Sequence, residues 1–310
     1  MDVRQLTYFL AVVDHGGFTR AAEHLIIAQP SLSQTIKGLE RELGVSLFHR
    51  IGRRVVLSEA GHELLGPARL VVRDLEAARS AVDNLRGVRS GRLDMIAMPS
   101  PGIEPLTSMI AAYARAHPAV TLNVDAAFTA EEVLESVRTG GAEIGILGTK
   151  TPFESADVQV LQLEQQPLVL IVAPGTDAFD GADTIHPKDL AGHRIVASQQ
   201  GSLMRLMVDD TQAHGVPLQI VAEVAHRTSV LPLVLAGVGH AVMPSSWTPL
   251  AHQAGLRVVQ ISPTTSLHVA VISRPEHVTP AAKAFLEVAE EYAVHGALAL
   301  LSGDADKADQ

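Results

Sequence analysis

The stretch Gln29-Pro30-Ser31-Leu32-Ser33-Gln34-Thr35-Ile36-Lys37-Gly38-Leu39-Glu40-Arg41-Glu42-Leu43 decides how this chain is read. Leu32, Ile36, Leu39 and Leu43 recur at i, i+4, i+7 and i+11, one stripe of a helix turned toward a core, and Pro30 suits its first turn. The opposite face carries Gln29, Ser33, Gln34, Lys37 and Arg41, hydrogen-bonding groups with positive charge that can meet base edges in the major groove. Upstream, Thr19 is placed to cap a short helix over 20–26 whose Ala21, Ala22 and Leu25 allow close helix approach. Before that, Val3, Leu6, Phe9, Leu10 and Val13 have helical spacing behind Asp2 as an N-cap. Two short helices joined by a tight turn are a helix-turn-helix arrangement, although a plain three-helix bundle with a solvated face shows the same periodicity. The next segment separates the two. Leu47-Phe48 and Val55-Val56-Leu57 flank His49, Arg50, Gly52, Arg53 and Arg54, a β-hairpin with a cationic tip, and such a wing suits phosphates or a narrow minor groove.

Downstream, Leu64, Ala68, Val71, Leu75, Ala78, Val82 and Leu85 alternate spacings of four and three, the seam of a paired helix. The spacing predicts a dimer contact here in preference to docking on the chain's own body. Gly66-Pro67 predicts either a short helix followed by a long one, or one helix kinked at that point. Residues 87–91 are glycine-containing and read as a hinge. From Leu93 onward short apolar runs alternate with amphipathic segments, as in βαβ units with a parallel sheet. Two chain crossings, near 161–166 and 262–268, predict two α/β lobes around a ligand cleft.

The 310 residues carry a net charge of −10, but unevenly: residues 1–90 hold 12 Lys and Arg against 10 Asp and Glu, the rest 12 against 24. A mildly basic head on an acidic body is consistent with an appended nucleic-acid module. No cysteine is present, which excludes disulfides, thiolate zinc sites and thiol chemistry. The first residues lack an apolar signal core and no apolar run spans a membrane, so the chain is expected to be soluble and cytoplasmic.

Leu6-Thr7-Tyr8-Phe9, Gly17-Phe18-Thr19-Arg20-Ala21-Ala22, Gln29-Pro30-Ser31-Leu32-Ser33, Leu39-Glu40, Leu43-Gly44, Leu47-Phe48-His49-Arg50 and Leu57-Ser58-Glu59-Ala60-Gly61 together resemble the winged-helix signature of LysR-type transcriptional regulators. Two departures stand out. Ala28 replaces a customary Ser or Thr, and Gly38 sits inside the recognition helix at a cost of about 1 kcal/mol relative to Ala. A looser likeness continues through Tyr113, His117-Pro118, Gly140 to Gly145, Asp189-Leu190-Ala191-Gly192 and Val234 to Pro244. The resemblance implies groove or backbone contacts by Gln29, Pro30, Ser33, Gln34, Arg53 and Arg54, and Lys37 on the same helix face and Arg50 of the hairpin are expected to join them. It also implies dimerisation through Leu64, Val71, Leu75, Val82 and Leu85, with a homodimer or homotetramer on promoter DNA carrying an interrupted, A/T-rich inverted repeat. RNA polymerase is a candidate further partner.

The expected organisation is a winged helix-turn-helix over 1–58, a linker helix and hinge over 59–90, an effector domain over 91–300 (lobes 91–162 with 267–300, and 163–266), and a flexible tail over 301–310. Effector donors are expected beyond the strand ends: Ser100, Pro101, Gly102, Thr129, Gly148, Thr149, Gln199, Gln200, Gly201, Ser202 and Thr228, where hydroxyls also commonly just cap helices. Of these, Ser100, Thr129 and Gln199 to Ser202 match effector contacts in the family. They suit an anionic or carboxylate small-molecule effector with Lys150 as the nearest cation, and no cofactor. Catalytic motifs are absent: there is no G-x-S-x-G, H-E-x-x-H or P-loop, and Gly237-Val238-Gly239 lacks the third glycine of a dinucleotide fingerprint. The fourteen histidines show no ligand spacing, so neither a metal site nor an enzyme is expected. The competing readings are a ligand-independent DNA organiser, and an enzyme whose head is an interaction module.

Overall fold

The computed structural model describes residues 1–51, 54–85, 91–276 and 278–301. The head is built as the apolar spacing dictates. α1 (Val3–Asp14) starts on a reciprocal cap between Asp2 and Gln5, α2 spans Phe18–His24, and α3 spans Gln29–Leu43 with Pro30 in its first turn. Helix two begins at Gly17 without a side-chain cap, so Thr19 lies inside it and does not start it. The pair Gly16-Gly17 adopts positive φ, a turn that glycine makes without strain. Ala28 likewise leaves α3 uncapped by any side chain. Phe9, Ala21, Leu32 and Leu39 are completely buried. Leu43, expected in the same stripe, is exposed because Gly44 turns left-handed and ends the helix there.

The hairpin pairs β1 (Phe48–Ile51) with β2 (Arg54–Leu57) antiparallel, and Phe48 packs on Phe9 and Phe18 with ring centroids 5.4 and 5.5 Å away. Glu40 locks the hairpin to the recognition helix by accepting from the Leu47 (2.8 Å) and Phe48 (3.4 Å) amides. Gly52 and Arg53 lie outside the described residues, as do the side chains of Arg50 and Arg54.

The linker is one 27-residue helix, α4 (Glu59–Leu85), that contains Pro67; the two-helix alternative does not occur. Ser58 caps it, accepting from Gly61 N–H while donating to Ser46 carbonyl. Gly61 rides so close to the hairpin that an added Cβ would fall on the Leu47 carbonyl oxygen. Much of the helix packs on its own chain. Ala68 (1% exposed) and Leu64 join the head core, Arg69 pairs with Asp14 at 2.8 Å, and Arg73 reaches Asp94 of the body at 3.3 Å. Intrachain docking therefore takes the first part of the expected seam.

The body begins with β3 (Gly91–Ala97), α5 (Pro99–Ile103), α6 (Leu106–Ala116), β4 (Val120–Ala126), α7 (Ala130–Arg138) and β5 (Ile144–Thr149), with β4, β3 and β5 parallel. β6 (Gln159–Val172) then crosses to the second lobe as one 14-residue strand. That lobe comprises β7 (Thr184–Ile185), β8 (Arg194–Ser198), α8 (Leu203–Ala213), β9 (Gln219–Val224), α9 (Val230–Leu235), β10 (Ala241–Pro244), α10 (Thr248–Gln253) and β11 (Arg257–Ile261). The return is β12 (Ser266–Ser273), and α11 (Pro280–Leu301), broken at Gly296, closes the first lobe. β6 pairs with β12 up to Pro167 and with β10 and β11 from Leu168 onward, past the lobe boundary expected at residue 162. All these pairings are antiparallel, so the sheets are mixed where a parallel one was expected. Of the expected hinge over 87–91, residues 87–90 lie outside the described residues and Gly91 opens β3; of the expected tail, 302–310 lie outside them too. Among the described residues no helix is long and apolar enough to cross a membrane.

In the second lobe His240 is buried and its Nδ1 accepts from Ala173 N–H at 3.1 Å. Burial, helped by His193 and Arg257, pushes its pKa from about 6.5 down to about 4. A depressed histidine stabilises the fold fully only above its unfolded pKa, so stability is lost as pH falls from 6.5 toward 4. The unfolding midpoints of wild type and His240→Asn should converge over that window, because only the wild type gains a histidine proton on unfolding there; a constant gap contradicts the assignment. A pair of glycine variants tests the head. Gly61→Ala should cost at least 1–3 kcal/mol, roughly, through the clash with the hairpin, whereas Gly38→Ala, whose Cβ meets only Gln5 Nε2 at 3.9 Å, should stabilise by up to about 1 kcal/mol. Chemical denaturation reads both signs.

Candidate functional site

The head presents a polar ridge on α3. Pro30, Gln34, Lys37 and Arg41 are exposed, while Gln29 and Ser33 are half-buried and tied together, Gln29 Nε2 donating to Ser33 Oγ at 2.9 Å. The apolar stripe under this ridge is packed against α1 and α2, so the helix cannot roll without opening the core. Gln34 and Lys37 are thereby free to contact a groove, and the Gln29–Ser33 pair shapes the start of the helix.

In the body, Ser100 is the one expected effector residue whose side chain links the two lobes. It sits on α5 with no exposed surface, and its hydroxyl accepts from Arg227 Nη1 (2.8 Å) and Trp247 Nε1 (3.4 Å) of the second lobe. Ile103 of the same short helix packs into the second lobe's core. Burial alone pulls the Arg227 guanidinium down to about 10. Among the described residues it makes no ion pair.

The other candidates separate into caps and packing. Thr129 caps α7 in a reciprocal box with Glu132, and Ser202 caps α8, accepting from Arg205 N–H at 3.2 Å and donating to the Gln199 carbonyl at 2.8 Å. Gly148 is buried where a Cβ would strike Leu267, and Thr149 donates to the Thr151 carbonyl. Pro101 is buried within α5 beside half-buried Gly102, while Gln200, Gly201 and Thr228 are exposed; Thr228 caps no helix. Lys150 does not stand at Ser100. It lines a cavity of about 690 Å³ beside α8 and the return crossing, together with Lys188, Leu203 and Pro263. Arg227 is the cation at the lobe contact instead. Sequence reading overlooked it and Trp247, although both follow strand ends by only a few residues. Neither has a local spacing signal, since their role appears only across the lobes. Among the described residues no cluster of His, Asp or Glu could hold a metal ion.

Along α4, Val71 is 45% exposed and Leu75 is half-buried; the side chains of Val82 and Leu85 lie outside the described residues.

A winged helix-turn-helix on a long helix, followed by two α/β lobes joined by crossing strands, defines a DNA-binding regulator with a ligand-binding body. Comparison places it further. Residues 3–62 match the model for the bacterial regulatory helix-turn-helix protein, lysR family, and residues 86–293 match the LysR substrate binding domain. The chain belongs to the LysR family of transcriptional regulators. It is 28% identical over 291 residues to the RuBisCO operon transcriptional regulator of Allochromatium vinosum, covering 93% of this chain and 95% of that protein. A full-length OxyR variant from Pseudomonas aeruginosa shares its fold at a TM-score of 0.71 and 23% identity, covering 94% of each chain. Full-length CbnR in complex with its target DNA aligns at a TM-score of 0.55 and 25% identity, covering 94% of this chain and all of that one. The protein is a LysR-type transcriptional regulator with an effector-binding domain, and the enzyme and organiser readings gain no support from these relatives.

Ser100→Ala leaves the Arg227 and Trp247 donors without their acceptor, so it should cost about 1–3 kcal/mol in urea unfolding. Ser202→Ala should cost roughly 1 kcal/mol as the loss of a cap. A Ser100→Ala variant as stable as wild type contradicts the interlobe contact.

Proposed function

We propose that this regulator reads promoter DNA with the exposed ridge of α3 and answers to a small molecule held between the two lobes of its body. The observation that carries the DNA half is the ridge itself. Gln34, Lys37 and Arg41 are exposed on a helix whose opposite stripe, Leu32, Ile36 and Leu39, is buried, and CbnR, a relative of similar architecture, has been solved with its target DNA. The effector half rests on two lobes joined by two crossing strands and by one buried hydrogen-bonded contact at Ser100. A ligand that binds one lobe arrangement better than another shifts the equilibrium by its difference in affinity.

Two heads are needed to read an inverted repeat, and Val71, an apolar residue left 45% exposed on α4, supports a homodimer through this helix. A DNA target places the working protein in the cytoplasm, where RNA polymerase is its natural further partner. The wing arginines Arg50, Arg53 and Arg54 are assigned to phosphate or minor-groove contacts on the strength of the sequence pattern.

Selection from random duplexes, followed by binding titrations over a salt series, tests this reading. Gln34→Ala should lose about 1–3 kcal/mol of discrimination at one base position of the selected site. Lys37→Ala should weaken all sequences alike and reduce the salt slope by about one. Unchanged sequence preference in Gln34→Ala, with an unchanged slope in Lys37→Ala, would remove α3 as the reading element.

A further inference from the structure

The recognition helix and the hairpin meet at a corner that neither the ridge nor the wing includes. Gly44 turns left-handed at the end of α3, and Val45 and Ser46 lead the chain on toward β1. Between this corner and the last turns of α3 lies an open cavity of about 540 Å³, walled by Lys37 and Arg41 on the helix and by Gly44, Val45 and Ser46 opposite. Lys37 and Arg41 are exposed one helical turn apart, and among the described residues neither forms an ion pair; Arg41 Nε donates to the Lys37 carbonyl at 3.4 Å. Glu40, the acid of the cavity, is turned to the hairpin, where its carboxylate accepts from the Leu47 and Phe48 amides. Val45 is 47% exposed, and the backbone at Ser46 is held because its carbonyl accepts from Ser58 Oγ at 2.6 Å. The ridge on one flank is assigned to the major groove, and the hairpin on the other to phosphates or the minor groove. On a duplex those grooves are separated by a single phosphodiester strand, which has to pass between the two elements. A concave surface with two unpaired cations, a hydroxyl and an exposed valine complements that strand, whose phosphates accept hydrogen bonds and whose sugars offer apolar carbons.

We propose that the corner between α3 and β1 is a saddle for one phosphodiester strand of the promoter. Lys37 and Arg41, whose positions on the helix are about 5–6 Å apart, take neighbouring phosphates from one side. Ser46 donates to a phosphate from the other side, and Val45 lies against the deoxyribose between them. This rests on the reading that α3 enters the major groove, and adds the strand beside it and the contacts of Arg41, Val45 and Ser46. Because Glu40 ties the hairpin to α3, ridge, saddle and wing form one rigid unit, and the strand in the saddle fixes how deeply α3 enters its groove. The saddle reads no base, so its contribution is the same for every sequence.

The test uses the full-length protein and a duplex obtained by the selection described above, in which each phosphate in turn is replaced by an uncharged methylphosphonate. In each half-site, one or two adjacent phosphates on the strand bordering the groove that α3 reads should weaken wild-type binding about two- to fivefold when neutralised. Arg41→Ala should lower the salt slope by about one and bind the native and neutralised duplexes alike at one of those phosphates. Ser46→Ala, which keeps the carbonyl that holds Ser58, should shrink the effect of a phosphate in the same window. Both side chains are exposed, so both variants should keep the wild-type unfolding midpoint. The proposal is overturned if no phosphate loses its effect in either variant. Wild-type affinity and salt slope in both variants overturn it too, and leave the corner to a protein partner. Gln34→Ala separates the two readings. Lost base discrimination there without any coupled phosphate keeps α3 in its groove and rejects the saddle; unchanged discrimination together with no coupled phosphate rejects both.

Discussion

β6 changes hydrogen-bonding partners in mid-strand, and the body's architecture depends on that change. Up to Pro167 its ladder belongs to β12 and the first lobe, and from Leu168 it belongs to β10 and β11 of the second. Proline has no N–H to donate, so it sits where one ladder can end and another begin. The Leu168 amide is not lost, because the Thr265 carbonyl on the returning crossing accepts it at 3.0 Å. Both crossings are thus stitched at one level. The lobes share a continuous backbone there and meet elsewhere by side chains, which makes the small contact of Ser100, Arg227 and Trp247 sensitive to whatever enters between them. One apolar cluster runs through both lobes along β6, from Leu93 and Tyr113 to Ile195 and Val242, so a change in their spacing is felt in the core.

The second constraint is the divided loyalty of α4. Its start is clamped to the hairpin through Ser58 and Gly61, its next turns complete the head core through Leu64 and Ala68, and Arg73 ties it to Asp94 in the first lobe. Head and body are therefore coupled through one rigid rod. A shift of the lobes that moves Asp94 acts on the same helix that carries the head's core.

The head was legible because a strong 3.6-residue stripe coincides with local stop signals. It failed only at ends: Thr19 fell inside helix two because Gly16-Gly17 supplies the turn, and Leu43 lay past the last buried turn. In the body the apolar strands could be read, but the first half of β6, Gln159-Val160-Leu161-Gln162-Leu163-Glu164-Gln165-Gln166, is too polar to announce a strand and was legible only as a chain crossing near 161–166. β7 and α5 are too short to have a period. Of the expected effector residues, Ser100 after β3 joins the lobes through Arg227 and Trp247, while Thr129 and Ser202 behave as caps. Arg227 and Trp247 gain meaning only when two distant segments meet, and no local pattern records that meeting. The α4 seam misled in part, because the same heptad stripe that suits a partner helix also suits the head core it covers.

If the ridge of α3 reads sequence, the protein holds a small number of discrete promoters. Incubating the full-length protein with sheared genomic DNA from its own source at moderate salt, and sequencing what is retained, decides this. A sequence-specific regulator leaves a few sharp peaks that share an interrupted inverted repeat. Diffuse retention without a common motif would contradict it.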